Sequence, residues 1–343
     1  MAINLASKYS DQIVEVFTRA SFIKGKTAET YDLTGVKTLK VYTPITVEEV
    51  DYDRDGGLKR YGDVTEMQDV VQELTMTQDK AFTLTIDKGN NLDQNLVKNA
   101  ADMLRLQLNE KSTPAADKYA FKRFVTMAGS IVESAKPTKA NIISKIADAS
   151  QALDDALVPD DNRYLYLTSE MYKLVCTSDE FAGVDVLARQ SIAKGLSGEV
   201  FGMNVVRVPK SYLPEDVYFL VAHKDAVLMP YKIADAKVHE DPVGVSGALI
   251  EGRHYYDAYV LGAKCGGVYA LVDEDCRSSA PTISQGKITA FGKVRYTLDG
   301  SDPRYSDSAK DYVAGTVLTP ETGCKIRAYC VQSGAYPSEV AEG

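Results

Sequence analysis

The feature that most restricts this chain is a charged tongue held between two strands. Val36–Thr43 and Glu73–Asp87 (ELTMTQDKAFTLTID) alternate polar and apolar residues at the period of a strand. Between them, Glu48 to Asp69 carries eight acids against three bases and is broken by glycines. The simplest structure is a long antiparallel hairpin with a hydrophilic, extended tip. Two strands alone bury too little apolar surface to offset the entropy of ordering them. Such an arm therefore predicts a neighbour that holds it still.

Downstream the period changes from two to 3.6. Leu92, Leu96, Ala100, Met103, Leu104 and Leu108 share one face, which predicts an amphipathic helix of about twenty residues. Thr113 before Pro114 reads as the cap of a second helix carrying Tyr119, Phe121 and Phe124. From Thr138 a third follows, with Ile142, Ile143, Ile146, Ala149, Leu153 and Leu157 on one side. Tyr164–Thr168 is strand-like, and Ser169 caps a helix containing Met171 and Leu174. Between 200 and 272, turns alternate with the strands FGMNVVRVP, VYFLVAH, YYDAYVLG and GGVYALV. Residues 5–23, ahead of the hairpin, are weakly helical.

The charge divides the chain. Its net value is −9 over 343 residues, yet from Pro281 onward seven basic residues balance seven acidic ones. The surplus thus belongs to residues 1–280. Asp273 to Pro281 is polar and ends in a proline, which predicts a linker and a domain boundary near 278–281. Beyond it, Lys287–Phe291, Val294–Leu298, Gly315–Leu318 and Lys325–Val331 alternate between turn residues, as in a small β-sandwich. A net acidic chain is unsuited to gripping nucleic acid by phosphate neutralisation. No apolar run reaches the roughly 18 residues of a spanning helix, and the start lacks the basic and apolar regions of a secretory signal. Five scattered cysteines without a C-x-x-C pair predict free thiols in a reducing compartment.

Motifs with defined chemistry are few. Asp51, Asp53, Asp55 and Gly56 match the D-x-D-x-D-G opening of a calcium loop. The twelfth position, however, is Gly62 instead of a bidentate glutamate, with Asp63 one place late, so a solvated acidic turn is the plainer account. Gly25-Lys26-Thr27 lacks the earlier glycine of a phosphate loop, where Ala20 stands. Ser197 and Ser246 lack the second glycine of a nucleophile elbow, at Glu199 and Ala248. His223, His239 and His254 are widely spaced. Asp154-Asp155 and Asp160-Asp161 flank a helix end, where carboxylates are ordinarily solvated. His254 with Asp257 is the one pair suited to acid–base work. Nothing assembles a nucleophile, a base and an oxyanion site, so no enzyme, cofactor or resident metal is expected.

The order of these segments resembles the tailed-bacteriophage major capsid proteins of the Hong Kong 97 type. The resemblance rests on ELTMTQDKAFTLTIDKGNN, the following helix, and STPAADKYAFKRFVTMAG with its Pro114, Asp117 and Tyr119. It extends through VPDDNRYLYLTSEMYKLV, GEVFGMNVVRVPKSYLP and GALIEGRHYYDAYVLGAKCGGVYAL. It implies an α+β capsid fold: an N-terminal arm (1–35), an extended hairpin arm or E-loop (36–88), a P-domain spine-helix region (89–136), an A-domain (137–255) and a return to the P-domain (256–278). Residues 281–343 resemble the immunoglobulin-like domain of chitobiase and other hexosaminidases, through Tyr296, Thr297, Asp299, Gly300, Ser301, Asp302 and Pro303. Asp299-Gly300 is also an ordinary tight-turn dipeptide that needs no ligand.

These resemblances imply a structural coat protein of the virion. Its copies would build homo-pentamers and homo-hexamers of an icosahedral head in the bacterial cytoplasm, enclosing DNA without sequence-specific binding. Asp51, Asp53, Arg54, Asp55, Lys59 and Arg60 are the expected intersubunit contacts, where charge sets register. Lys59 stands in the arm where some such coats place a cross-linking lysine; with no partner asparagine identified, no crosslink is expected. The arm begins close to Met1, which favours a separate scaffolding protein; a portal and a maturation protease are further expected partners. The C-terminal domain would decorate the exterior, with weak glycan or host-surface contact, and no membrane association is expected. Two other classes compete: a cell-surface or carbohydrate-binding protein acting through residues 281–343, and a hydrolase built on His254 and Asp257.

Overall fold

The computed structural model describes residues 21–29, 31, 38–46, 49–55, 60–62, 69–93, 99–178, 198–321 and 323–343. Most of the expected N-terminal arm and of the helix at 5–23 lies outside them, as do Leu96 and Lys59.

Strand alternation builds a six-stranded sheet buried on both faces. Its order is Ser130–Glu133, Val268–Val272, Val217–His223, Arg163–Thr168, Met203–Val208 and Glu199–Val200. Two pairings are parallel, Val268–Val272 with Ser130–Glu133 and Arg163–Thr168 with Met203–Val208. In Val268–Val272 the alternation sends Val268, Ala270 and Val272 into one core, and Tyr269 and Leu271 into another. The first core is closed by Phe121, Phe124 and Val125 of the helix Thr113–Thr126. The second is closed by Ile142, Ile146, Ala149 and Leu153 of the helix Ile142–Asp155. A sheet covered on both faces needs the near-continuous apolar strands seen here. Each fully buried large side chain contributes about 1.5–3 kcal/mol.

The helices follow the expected faces with local corrections. Asn99 caps Ala100–Gln107, its side chain accepting from the Ala101 N–H. A π turn, Leu108–Ser112, then carries the chain without a break into Thr113–Thr126. Thr113 is therefore not a cap; it has helical backbone angles, and its N–H donates to Leu108 O. Pro114 has no N–H for the regular i−4 ladder, and the wider turn just upstream accommodates it. A separate short helix, Lys88–Asp93, precedes Asn99, so Leu92 does not belong to the long helix. Leu157 leaves the apolar stripe, 91 % exposed at φ 55°. The next helix is capped by Thr168, one residue before the expected Ser169.

The hairpin pairs Thr38–Pro44 with Asp69–Thr75 in antiparallel register. The expected second strand, Glu73–Asp87, divides at Met76-Thr77. Gln78–Asp87 abandons the hairpin and pairs with Gly247–Tyr256, which pairs in turn with Tyr231–Glu240.

Residues 282–342 form two small antiparallel sheets around Ile288, Val294, Leu318, Ile326, Ala328 and Cys330. Gly315–Leu318 is not a strand. Gly315 takes φ +90°, and the segment is held by a turn from Thr316 N–H to Val313 O and by Leu318 N–H to Gly286 O. The expected linker is packed: Ser278 is buried, its N–H donating to Tyr336 O and its hydroxyl accepting from the Gln332 N–H. All five cysteines are free thiols.

Candidate functional site: the root and tip of the hairpin arm

Where the hairpin leaves the body, polar groups are buried with their partners supplied. In Asp69–Thr75, Gln72 and Leu74 face inward. Leu74 joins Leu228, Tyr259 and Leu261, against which Leu39 and Val41 of the first strand pack. Gln72 interrupts this apolar row for a reason: its amide donates to Val260 O at 2.9 Å and accepts from the Gly262 N–H at 2.8 Å. One side chain thereby satisfies two backbone groups of the segment 260–262.

At the partner exchange, three residues before Val260, lies Asp257, which is fully buried. One carboxylate oxygen accepts from the Thr77 N–H and hydroxyl, each at 2.8 Å. The other accepts from the Tyr119 hydroxyl at 2.8 Å and the Ala258 N–H at 2.7 Å. Burying a carboxyl group costs less when its oxygens find donors in this way. Asp257 thus ties the hairpin root to the helix Thr113–Thr126. Beyond it, Arg253 grips Asp79 with two parallel bonds of 2.9 and 2.6 Å, and holds that carboxyl below its ordinary range.

Asp117, two residues before Tyr119, points to the opposite flank. It accepts from the Ser21 hydroxyl at 2.6 Å and the Phe22 N–H at 2.8 Å, fixing the end of the N-terminal segment to the same helix. Burial pushes its carboxyl upward, against the pull of those two bonds.

The tip is built differently. Asp55 N–H donates to the Asp53 side chain, and Asp53 N–H to Arg60 O, which closes the turn. Tyr52 and Tyr61 meet edge to face at 5.0 Å across it. Asp51, Asp53, Arg54, Asp55 and Arg60 are exposed, and Tyr61 is 86 % and Val50 63 % exposed. The tip is therefore apolar as well as acidic, a signal carried by Val50, Tyr52 and Tyr61, with Tyr42 and Ile45 on the approach to it, that charge counting passes over. The three aspartates do not gather around a point: among the described residues no three His, Cys, Asp or Glu side chains are grouped to hold a metal ion.

The remaining candidates make contacts within the chain. His254 stacks on Phe82 at 6.0 Å, and burial lowers its pKa, while both oxygens of Asp257 are taken up as described. Asp154 and Asp160 are exposed, as expected, while each pairs with the buried Arg163, at 2.7 and 3.0 Å. In the tail, Tyr296 and Thr297 lie on the strand Lys293–Thr297. Asp299 accepts from the Ser301 N–H and hydroxyl and from the Ser308 hydroxyl; Asp302, one residue before Pro303, pairs with Arg304. The Asp299-Gly300 segment is a turn that spends its polar groups internally. Among the described residues no helix is long and apolar enough to cross a membrane.

No protein-family model matches the chain, and no curated protein matches it. Solved structures do, and they are phage structures. One from Mycobacterium phage Che8 superposes with TM-score 0.64 at 18 % identity, covering 79 % of this chain and 98 % of that one. The capsid structure of cyanophage P-SCSP1u gives 0.63 at 13 %, covering 79 % and 93 %. The mature capsid of bacteriophage PhiM1 gives 0.62 at 11 %, covering 79 % and 92 %. At these identities the likeness establishes the fold, which is the one found in phage capsids.

Proposed function

We propose that this chain is the major coat protein of a tailed bacteriophage, a structural protein of the virion without enzymatic activity. Its copies assemble as pentamers and hexamers of an icosahedral, DNA-filled head. The observation that carries this reading, within a capsid fold, is the arm: its root is locked into the body by Gln72 and Asp257 while its tip exposes Tyr52, Tyr61 and Val50 among acids. An exposed aromatic and charged tip on a fixed stem suits docking on an adjacent copy. Desolvated aromatic groups supply most of the energy at such contacts, and charge sets the register. Asp51, Asp53, Arg54, Asp55, Lys59 and Arg60 are the proposed charged contacts. The ranges 36–88, 89–136, 137–255 and 256–278 serve as arm, spine region, A-domain and return, and 281–343 is an immunoglobulin-like domain on the exterior. Scaffolding protein, portal and maturation protease are the partners this assembly requires, and DNA is enclosed without sequence-specific contact.

Negative-stain microscopy of the purified chain, alone and co-expressed with its scaffolding protein, tests the reading. Closed shells of uniform size, or rings of five and six copies, are expected. A chain that stays monomeric under both conditions overturns it.

A further inference from the structure

Six residues of the tail, Asp302 to Asp307, enter the body and touch two elements that do not belong to the tail. On one side they meet Met127 to Gly129, the three residues that follow the helix Thr113–Thr126. Arg304 donates to Ala128 O at 3.3 Å and Gly129 O at 3.1 Å, and the Tyr305 hydroxyl donates to Met127 O at 2.7 Å. The guanidinium also places positive charge at the negative end of the helix dipole. Burial opposes that charge, but Asp302, at 2.8 Å, more than restores it. On the other side the same six residues meet both strands of the hairpin root. Asp307 N–H donates to Val71 O at 2.8 Å, and its carboxylate accepts from Lys40 Nζ at 2.9 Å.

Tyr305 lies between these contacts, 7 % exposed, as a member of the large core under the sheet. Its Cβ sits 2.7 Å from where a side chain on Gly262 would begin, and the Gly262 N–H is the group held by Gln72. Only a glycine fits beneath the tyrosine. A continuous row of contacts therefore runs from helix end to Tyr305, to Gly262, to Gln72 in the hairpin. The tail is held at further points, by the Tyr336 hydroxyl on Asp216 at 2.9 Å and by Arg277 bridging Glu133 and Glu339. A body fixed at several separated points does not swing.

We propose that Asp302–Asp307 is a strut that sets the direction of the hairpin arm relative to the spine helix, so the C-terminal domain is a positioning device for the arm and not a passenger on a linker. The Asp299 network acquires a role in this arrangement: by holding Ser301 and Ser308 it shapes the loop that presents Arg304 and Tyr305. The strut consists of intrachain contacts and stands apart from the coat reading; that the direction of the arm in turn sets the curvature of a shell rests on that reading.

Hydrogen exchange on the full-length, unassembled chain tests the strut. In Arg304→Met combined with Asp307→Ala, amides of 38–44, 69–75 and 121–127 should exchange about tenfold faster. Those of 163–168, 217–223 and the tail strands 293–297 and 327–331 should not change. Unchanged exchange at the hairpin root overturns the proposal. Should the double variant lose protection everywhere, Tyr305→Phe decides: it keeps the ring and removes only the hydroxyl, with its bonds to Met127 O and Cys265. Faster exchange confined to 121–127 and the hairpin root supports the strut, and no change or a uniform rise overturns it. In particles, a strut variant with wild-type diameter and uniformity refutes the curvature effect alone.

Discussion

At the scale of single residues, the decisive groups are polar and buried. Asp257 accepts four hydrogen bonds at the hairpin root. Asp257→Ala strands the Thr77 N–H and the Tyr119 hydroxyl, and should cost on the order of 3 kcal/mol in urea unfolding. Tyr119→Phe, which removes the bond to Asp257 and a longer one with the Thr77 hydroxyl, should cost about 1 kcal/mol. Asp117 carries a pH signature. Burial raises its pKa above that of an unfolded aspartate, so as pH falls the folded chain takes the proton first. This group therefore makes the native state relatively more stable as pH drops from its raised value toward about 4, the reverse of a salt-bridged carboxylate. Unfolding midpoints measured across that window should show this slope in the wild type and lack it in Asp117→Asn. Asp117 and Tyr119 were legible as a spacing but not as two latches with opposite partners. Gln72 resembled any polar residue in an alternating strand, because its partners at 260 and 262 are remote in sequence.

At the scale of elements, local chemistry and tertiary pairing part ways. The hairpin was readable because its strands alternate and its tip cannot be a core. The exchange of partners at Met76-Thr77 was not, since Gln72, Leu74 and Met76 face inward and the alternation runs on past them without a signal. Only the distant strand Gly247–Tyr256 decides where the second sheet begins. The Thr113–Pro114 start signal misled for a similar reason: a π turn absorbed the proline, and packing of Phe121 and Phe124 kept one helix going. The tip yields a prediction at this level. Its aspartates are exposed, so replacing Asp51, Asp53 and Asp55 with Asn should shift the stability of the free chain by less than about 0.5 kcal/mol. Assembly followed by light scattering should nevertheless slow or yield fewer particles. A triple variant that assembles like wild type removes these residues from the contact.

At the scale of the whole molecule, composition was a poor guide to layout. An ordinary core, a surplus of acid in residues 1–280 and no assembled active-site motif pointed toward a structural role, and the fold matches phage capsids. The polar stretch before Pro281 suggested a loose tether, yet Ser278, Arg277 and Tyr336 pack the junction shut. A linker and a packed junction draw on the same residue types, and only the partners distinguish them. The sheet order has a consequence in time. Thr77 and Asp257, which meet at the hairpin root, are separated by 180 residues. The strand Val268–Val272, second in the central sheet, is also the last of that sheet to be made. At about 5–20 residues per second, on the order of ten to forty seconds of synthesis lie between the two halves of that root. Pairings so remote in sequence must await their partners. Until Asp257 has been made, the Thr77 N–H and hydroxyl lack their acceptor, so the root of the hairpin is the last part of the arm to be locked.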